Sequence, residues 1–161
     1  QRNFTSGHVT GIASDVGFCS IYVSKYMMNR EIGFGRRLLQ ILEDEKIPYE
    51  HTPSGIDDMS IIISEKHFDK TKEEKVINRI KNELDVDHIS VRRNLALIII
   101  VGEGMRNTIG IAARATTALS KALVNLEMIN QGSSEISMMF GIKAEDNENA
   151  VRALYNEFFG D

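Results

Sequence analysis

The amino-acid sequence repeats itself at an offset of 77 residues, and this repeat restricts the possible folds more than any other feature. Residues 18–69 align with residues 95–146 without a gap. The apolar runs "FCSIYVS" and "LALIIIV" fall on each other at the start of the two copies. Identical residues at equivalent positions include the pairs Met28/Met105, Gly33/Gly110, Arg37/Arg114, Glu50/Glu127 and Gly55/Gly132. Because the hydrophobic pattern also stays in register, we expect two units with the same fold.

The first copy predicts the element order β-α-β-β-α-β. Strands are indicated by β-branched and aromatic runs or by alternating polarity, and helices by apolar residues at helical spacing. The strands are predicted at residues 18–24, 49–53, 59–64 and 86–93, and the helices at residues 32–45 and from the capping residue Asp69 onward. This order is that of a ferredoxin-like α+β fold, with an antiparallel sheet and the helices on one face.

The second copy lacks its last strand. Its strands are predicted at residues 95–101, 126–130 and 135–141, and its helices at residues 109–124 and 146–159. The final strand would begin beyond residue 161, where the sequence given ends. The strand-like segment "HVTGIAS" at residues 8–14 remains unassigned, and we expect it to fill the vacant place in the sheet.

The two units would therefore be interleaved. The first unit, residues 15–93, would be inserted into a discontinuous second unit of residues 8–14 and 94–161. The polar residues 1–7 are interpreted as a tag remnant or linker, or as the start of a piece cut from a longer protein.

Composition argues against several classes of partner. The net charge is −4, and the 19 Lys and Arg residues are scattered, so neither nucleic acid nor an anionic membrane is expected as a partner. The longest apolar run, "LALIIIV", is too short to cross a bilayer. The single cysteine, Cys19, cannot form an internal disulfide and fits a reducing compartment, so we expect a cytoplasmic protein. Its place in an apolar strand indicates a buried, inert thiol.

The sequence contains no arrangement typical of catalysis. The glycines of "GEGMRNTIG" do not have dinucleotide-binding spacing, and no phosphate-binding loop is present. The four histidines lack the spacing of metal ligands. Asp57 and Asp58 should point to opposite faces of a strand, which argues against joint acid–base chemistry. We therefore expect this segment to be non-catalytic, with no cofactor or metal of its own.

The segment "YMMNREIGFG" at residues 26–35 is a candidate binding loop. Its last residues, Gly33, Phe34 and Gly35, open a helix and should offer backbone N–H groups to a carboxylate. Glu50, on a strand expected beside the first strand or near this loop, could accept an ammonium group. Together they would form an amino-acid site. The alternative is that Gly33 only shapes a turn and Glu50 is a solvated strand residue, and the residues alone leave both interpretations open.

Three segments resemble a known family. The segments "VTGIASDVGFCSIYV", "EHTPSGIDDMSIII" and "NQGSSEISMMFGI" closely resemble the tandem ACT regulatory region of aspartokinases, most of all the monofunctional, lysine-sensitive bacterial type. The resemblance implies the interleaved fold described above. It also implies a non-catalytic sensor within a cytoplasmic homodimer, attached to a kinase domain that uses ATP and Mg to phosphorylate aspartate.

The resemblance also implies an effector site. Lysine would bind the first unit at a dimer interface, with threonine as a possible second effector. The implied contacts are Met28, Glu31, Gly33, Phe34 and Gly35 at the backbone end of the effector, Pro48, Tyr49 and Glu50 toward its tail, and the closing turn Ser54, Gly55, Ile56 and Asp57. Lysine-sensitive relatives tend to carry other residues where this chain has Glu31, Pro48 and Glu50, which leaves the effector open.

Two questions about function remain open at this level. In the second copy, residues 131–134 replace the closing turn, so we expect that copy mainly to support dimer contacts, with a second site as the alternative. For the whole chain, the rival interpretations are an ACT-type module of another amino-acid enzyme and a ligand-free ferredoxin-like dimerisation module.

Overall fold

The computed structural model describes residues 8–103, 110–131 and 137–160. Within these residues the strands are β1 (His8–Ser24), β2 (Asp58–Ser64), β3 (His88–Glu103), β4 (Leu126–Gln131) and β5 (Ser137–Lys143). The helices are α1 (Phe34–Asp44), α2 (Lys70–Leu84), α3 (Ile111–Lys121) and α4 (Asn147–Phe159). None of these described helices is long and apolar enough to cross a membrane.

The strands follow the hydrogen-bonded order β2-β1-β3-β5-β4. β1 pairs antiparallel with β2, and β5 pairs antiparallel with both β3 and β4. β1 and β3 are long because each joins two strands that were predicted separately. The predicted α+β, ferredoxin-like class is confirmed.

The predicted strand at residues 49–53 is wrong. This segment contacts β2 only through isolated bridges, from His51 to Ile62 and from Ser54 to Met59. It lies beside β2 and not beside β1, which is hydrogen-bonded to β2 and β3. Pro48 and Pro53 have no N–H group to donate, so a continuous ladder cannot form along this segment.

Contacts divide the chain into two compact units. One consists of residues 17–93, and the other of residues up to 16 together with residues from 94 onward. The chain passes from one unit to the other after residue 16 and again after residue 93. The next residues, Gly17 (φ 85°) and Asn94 (φ 57°), both have left-handed backbone. They are 77 residues apart, so the sequence repeat is also a repeat of backbone conformation.

Each unit has its own hydrophobic core, and nine buried positions of the two cores correspond at the 77-residue offset. In the 17–93 unit, alternate residues of β1 share one cluster with the buried faces of α1 and α2, so both helices cover the same sheet face. The second cluster repeats this plan. Equivalent buried pairs at the 77-residue offset are Cys19/Ala96, Ile21/Ile98, Val23/Ile100, Phe34/Ile111, Leu38/Ala115, Leu42/Leu119, Ile47/Val124, Ile61/Met138 and Ile63/Phe140.

Candidate functional site

The loop between β1 and α1 is compact. Met27 is left-handed (φ 61°), and residues 28–30 form one turn of 3-10 helix. The N–H groups of Met28 and Glu31 donate to the carbonyls of Lys25 and Met28, at 3.0 and 3.1 Å. The Met28 side chain is buried in the core of the unit. Backbone hydrogen bonds and one buried anchor therefore fix the loop in front of α1.

The N-terminus of α1 carries positive charge that no acidic side chain of its first turn offsets. Gly33 is the N-cap residue, with φ 82°, and no side chain caps the helix. The first turn contains Arg36 and Arg37 but no Asp or Glu. The helix dipole and these arginines favour an anion here. The expectation of three free N–H groups is wrong at Phe34, whose N–H donates to the Glu31 carbonyl at 3.2 Å.

The hairpin turn before β2 is closed by Asp58. Its carboxylate accepts from the Gly55 N–H at 3.0 Å and from the Tyr22 hydroxyl at 3.4 Å. The Gly55 N–H also donates to the Asp58 carbonyl at 3.0 Å. A Cβ atom at Gly55 would lie 2.5 Å from Asp58 Oδ1, so a larger residue here would displace this carboxylate from the turn. The turn is thus a preformed wall with a carboxylate at its base.

A cavity of about 260 Å³ lies between this loop and this turn. Eight of the predicted effector contacts line it: Met28, Glu31, Gly33, Phe34, Gly35, Ser54, Gly55 and Ile56. Sequence reasoning missed four other lining residues: Asn29, Arg36, Asp58 and Met59. Asp58 was considered only as half of an acid–base pair. Its position directly after the "SGID" turn was the available signal, because Asp often caps such a turn.

The other predicted contacts lie elsewhere in the single chain. Pro48 and Tyr49 line a separate groove of about 870 Å³ along α1. Glu50 and Asp57 are exposed and are not among the residues that line the cavity or this groove. The Glu50 N–H donates to the Ile62 carbonyl at 2.8 Å, on the side of β2 away from β1. The sequence analysis thus grouped loop residues that do line one cavity. It also placed Glu50 beside that loop, where the single chain does not have it.

Glu31 is paired inside the chain. Its Oε1 lies 2.9 Å from Lys25 Nζ and 3.4 Å from the Arg37 guanidinium. The Glu31 carboxylate is thus compensated by two cations. Among the described residues, no group of three or more His, Cys, Asp or Glu side chains is placed to hold a metal ion. The cavity offers recognition of charged groups.

Comparison with known proteins defines the class. Residues 98–158 match the family described as ACT domain. The chain has the α+β fold of these domains, together with a cavity between a helix N-terminus and a hairpin turn. The chain therefore has the ferredoxin-like ACT fold.

Relatives define the branch of this class. The chain is 60% identical over 159 residues to aspartokinase 3 of Bacillus subtilis, covering 99% of this chain and 35% of that protein. The crystal structure of Clostridium acetobutylicum aspartate kinase, described as an allosteric enzyme, superimposes with a TM-score of 0.87 at 44% identity, covering 94% of this chain and 35% of that one. The chain is a regulatory region of the aspartokinase family.

A more distant structure shares the fold alone. Escherichia coli aspartokinase III in complex with lysine and aspartate superimposes with a TM-score of 0.75 at 17% identity, covering 98% of this chain and 35% of that one. The chain spans about a third of the length of each of these three proteins.

Proposed function

We propose that this chain is an amino-acid sensor that binds lysine in the cavity of the 17–93 unit. The observation that supports the proposal most strongly is the cavity itself, which brings eight predicted contacts together beside the N-terminus of α1. That terminus has no acidic side chain in its first turn. A carboxylate is the ligand group that such a helix start favours.

The opposite wall suits a cation. Asp58 and the turn of Ser54, Gly55 and Ile56 line the cavity across from the helix start. A ligand with a carboxylate and an ammonium group would find one partner on each wall. An α-amino acid is the smallest common molecule with both groups. Escherichia coli aspartokinase III, which shares the fold, has been solved with lysine and aspartate.

A second copy of the chain enters this proposal through Pro48, Tyr49 and Glu50. These residues lie outside the cavity in a single chain. We assign them to the lysine tail across a homodimer interface, as the resemblance to lysine-sensitive relatives implies. Threonine is the second candidate effector.

The full-length protein is proposed to transfer phosphate from ATP to the side-chain carboxylate of aspartate, with Mg in a kinase domain that these residues do not include. Lysine would inhibit this reaction. A ligand shifts an equilibrium between two states only by its difference in affinity for them. Lysine must therefore bind more tightly to the arrangement in which the kinase is inactive.

Calorimetry of the chain with lysine, threonine, methionine and aspartate tests the sensor. We expect lysine to bind, and Gly33→Ala to weaken its binding about tenfold, because a non-glycine residue at φ 82° strains the loop that forms the cavity. Gly110→Ala is the matched control, since Gly110 (φ 95°) is the N-cap of α3 in the other unit. It should lose similar stability and keep its lysine affinity.

Two results would contradict the proposal. One is the absence of heat with all four amino acids from a chain whose circular dichroism shows that it is folded. The other is an equal loss of lysine affinity in the Gly33 and Gly110 variants.

A further inference from the structure

We propose that Lys25 determines the specificity of this cavity, because it cancels the charge of Glu31 and so admits a carboxylate at the N-terminus of α1. This inference rests on the proposed amino-acid site. Lys25 is not among the residues that line the cavity, and it acts through Glu31, which does. Lys25 is therefore a positioning and charge-compensating residue.

The contacts of Glu31 are one-sided. Both cations lie at Oε1, with Lys25 Nζ at 2.9 Å and Arg37 at 3.4 Å. Oε2 is buried and has no hydrogen-bond partner among the described residues. The Glu31 side chain is 32% exposed, so its charge is screened less than that of a surface carboxylate. Compensation of this charge therefore depends on Lys25 and, at longer range, on Arg37.

Three contacts besides the ion pair with Glu31 hold Lys25 in place. Its Nζ donates to the Leu84 carbonyl at 2.7 Å, at the C-terminus of α2. The C-cap residue, Asp85, is left-handed (φ 51°), and the last carbonyls of a helix attract cations. The ammonium also lies 6.0 Å from the centroid of the Phe34 ring. The backbone N–H of Lys25 donates to the Asp57 carbonyl at 2.9 Å.

The charge of Glu31 matters because of where the ligand carboxylate would bind. Gly33, Gly35 and Arg36 line the same cavity as Glu31. A bound carboxylate at the start of α1 would face the Glu31 carboxylate across a small, partly buried space. Two like charges at such a distance repel strongly unless a cation lies beside one of them. Lys25 is the nearer of the two cations that lie beside Glu31.

The test compares lysine with lysinamide, in which an uncharged amide replaces the carboxylate. Calorimetry would use the unmodified chain, Lys25→Met, Glu31→Gln and the double variant. We expect Lys25→Met to weaken lysine binding about tenfold and lysinamide binding less than about threefold. Adding Glu31→Gln to Lys25→Met should restore most of the lysine affinity, because no uncompensated carboxylate remains.

Two controls separate charge from folding. Lys81→Met removes one positive charge from an exposed site on α2 and should leave the ratio of the two affinities unchanged. Lys25→Arg keeps the charge and should preserve that ratio within about twofold, even if its melting temperature falls.

The possible outcomes separate the two claims. Equal losses for lysine and lysinamide in Lys25→Met, or no recovery in the double variant, would overturn the role of Lys25 and leave the sensor intact. Binding of neither ligand by the unmodified, folded chain would overturn both.

Discussion

Cys19 illustrates how burial controls the chemistry of a single side chain. It is fully buried in β1, and its thiol donates to the Ile63 carbonyl at 3.6 Å. Burial raises the pKa of this thiol from 9.0 to about 11, because the apolar surroundings disfavour the thiolate. Arg93 opposes this shift, and Glu65 and Glu73 add to it. The sequence-based expectation of a buried thiol is confirmed.

This raised pKa gives a prediction about stability at high pH. The unfolded chain releases the thiol proton near pH 9, and the folded chain releases it near pH 11. Folding is therefore favoured by the protonated thiol below pH 9, and this contribution is lost between about pH 9 and pH 11. We expect urea unfolding midpoints to fall across this window more steeply in the unmodified chain than in Cys19→Ala.

Alanine is a suitable control because it occupies the equivalent core position, Ala96. The folded chain should also resist iodoacetamide at pH 8, and it should react once urea unfolds it. Rapid alkylation of the folded chain, or the same pH dependence in Cys19→Ala, would refute this account of the thiol.

Residue-level prediction succeeded where a signal is local. Asp69 was expected to cap α2, and its carboxylate accepts from the Lys72 N–H at 2.8 Å. Asp58 was missed as a cavity residue because its contacts with Gly55 and Tyr22 depend on the turn geometry and on a residue 36 positions away. The turn motif indicates the contact with Gly55, but no sequence pattern indicates the contact with Tyr22.

At the scale of elements, the ends of α1 and α3 are built alike. Lys46 (φ 58°) and Leu123 (φ 60°) are left-handed and 77 residues apart. The next residues, Ile47 and Val124, both donate to a carbonyl five positions back at 2.9 Å, at Leu42 and Leu119. This pattern is a Schellman motif, whose left-handed position favours glycine.

Leu123 therefore offers a stabilising substitution. This residue is 90% exposed, so removal of its side chain costs little buried surface. Glycine relieves the strain of a left-handed backbone, and we expect Leu123→Gly to raise the free energy of unfolding by about 0.5–1 kcal/mol. Urea titration measures this change. Leu123→Ala, which keeps the strain, should show no gain, and an equal gain in both variants would refute the explanation.

The remaining differences between expected and observed elements have physical causes. β2 begins one residue before the predicted strand, because Asp58 also pairs with Ser24 of β1. The register between strands could not be read from the repeat. Phe18 pairs with Ser64, but Leu95 pairs with Lys143 and not with the equivalent Gly141. This shift of two residues keeps each side chain on its original face, so the hydrophobic pattern does not reveal it.

At the scale of the whole molecule, the repeat made the fold predictable. Most elements were indicated twice, and both copies bury nine equivalent side chains in their own cores. The side chains at equivalent positions differ in size: Leu38 corresponds to the smaller Ala115, and Ile63 to the larger Phe140. The site was less predictable, because a ligand cavity depends on how loops pack. The sequence analysis grouped loop residues between 28 and 35 that line one cavity, whereas Glu50 does not line it in the single chain.

Amide hydrogen exchange with and without lysine tests the central claim, that one unit contains the sensor, most directly. We expect lysine to slow exchange in residues 25–37 and 54–59, which surround the cavity. Exchange in residues 110–121 and 126–131 should stay unchanged, because they belong to the other unit. Protection confined to residues 110–121 and 126–131, or no protection at saturating lysine, would contradict a lysine sensor in the 17–93 unit.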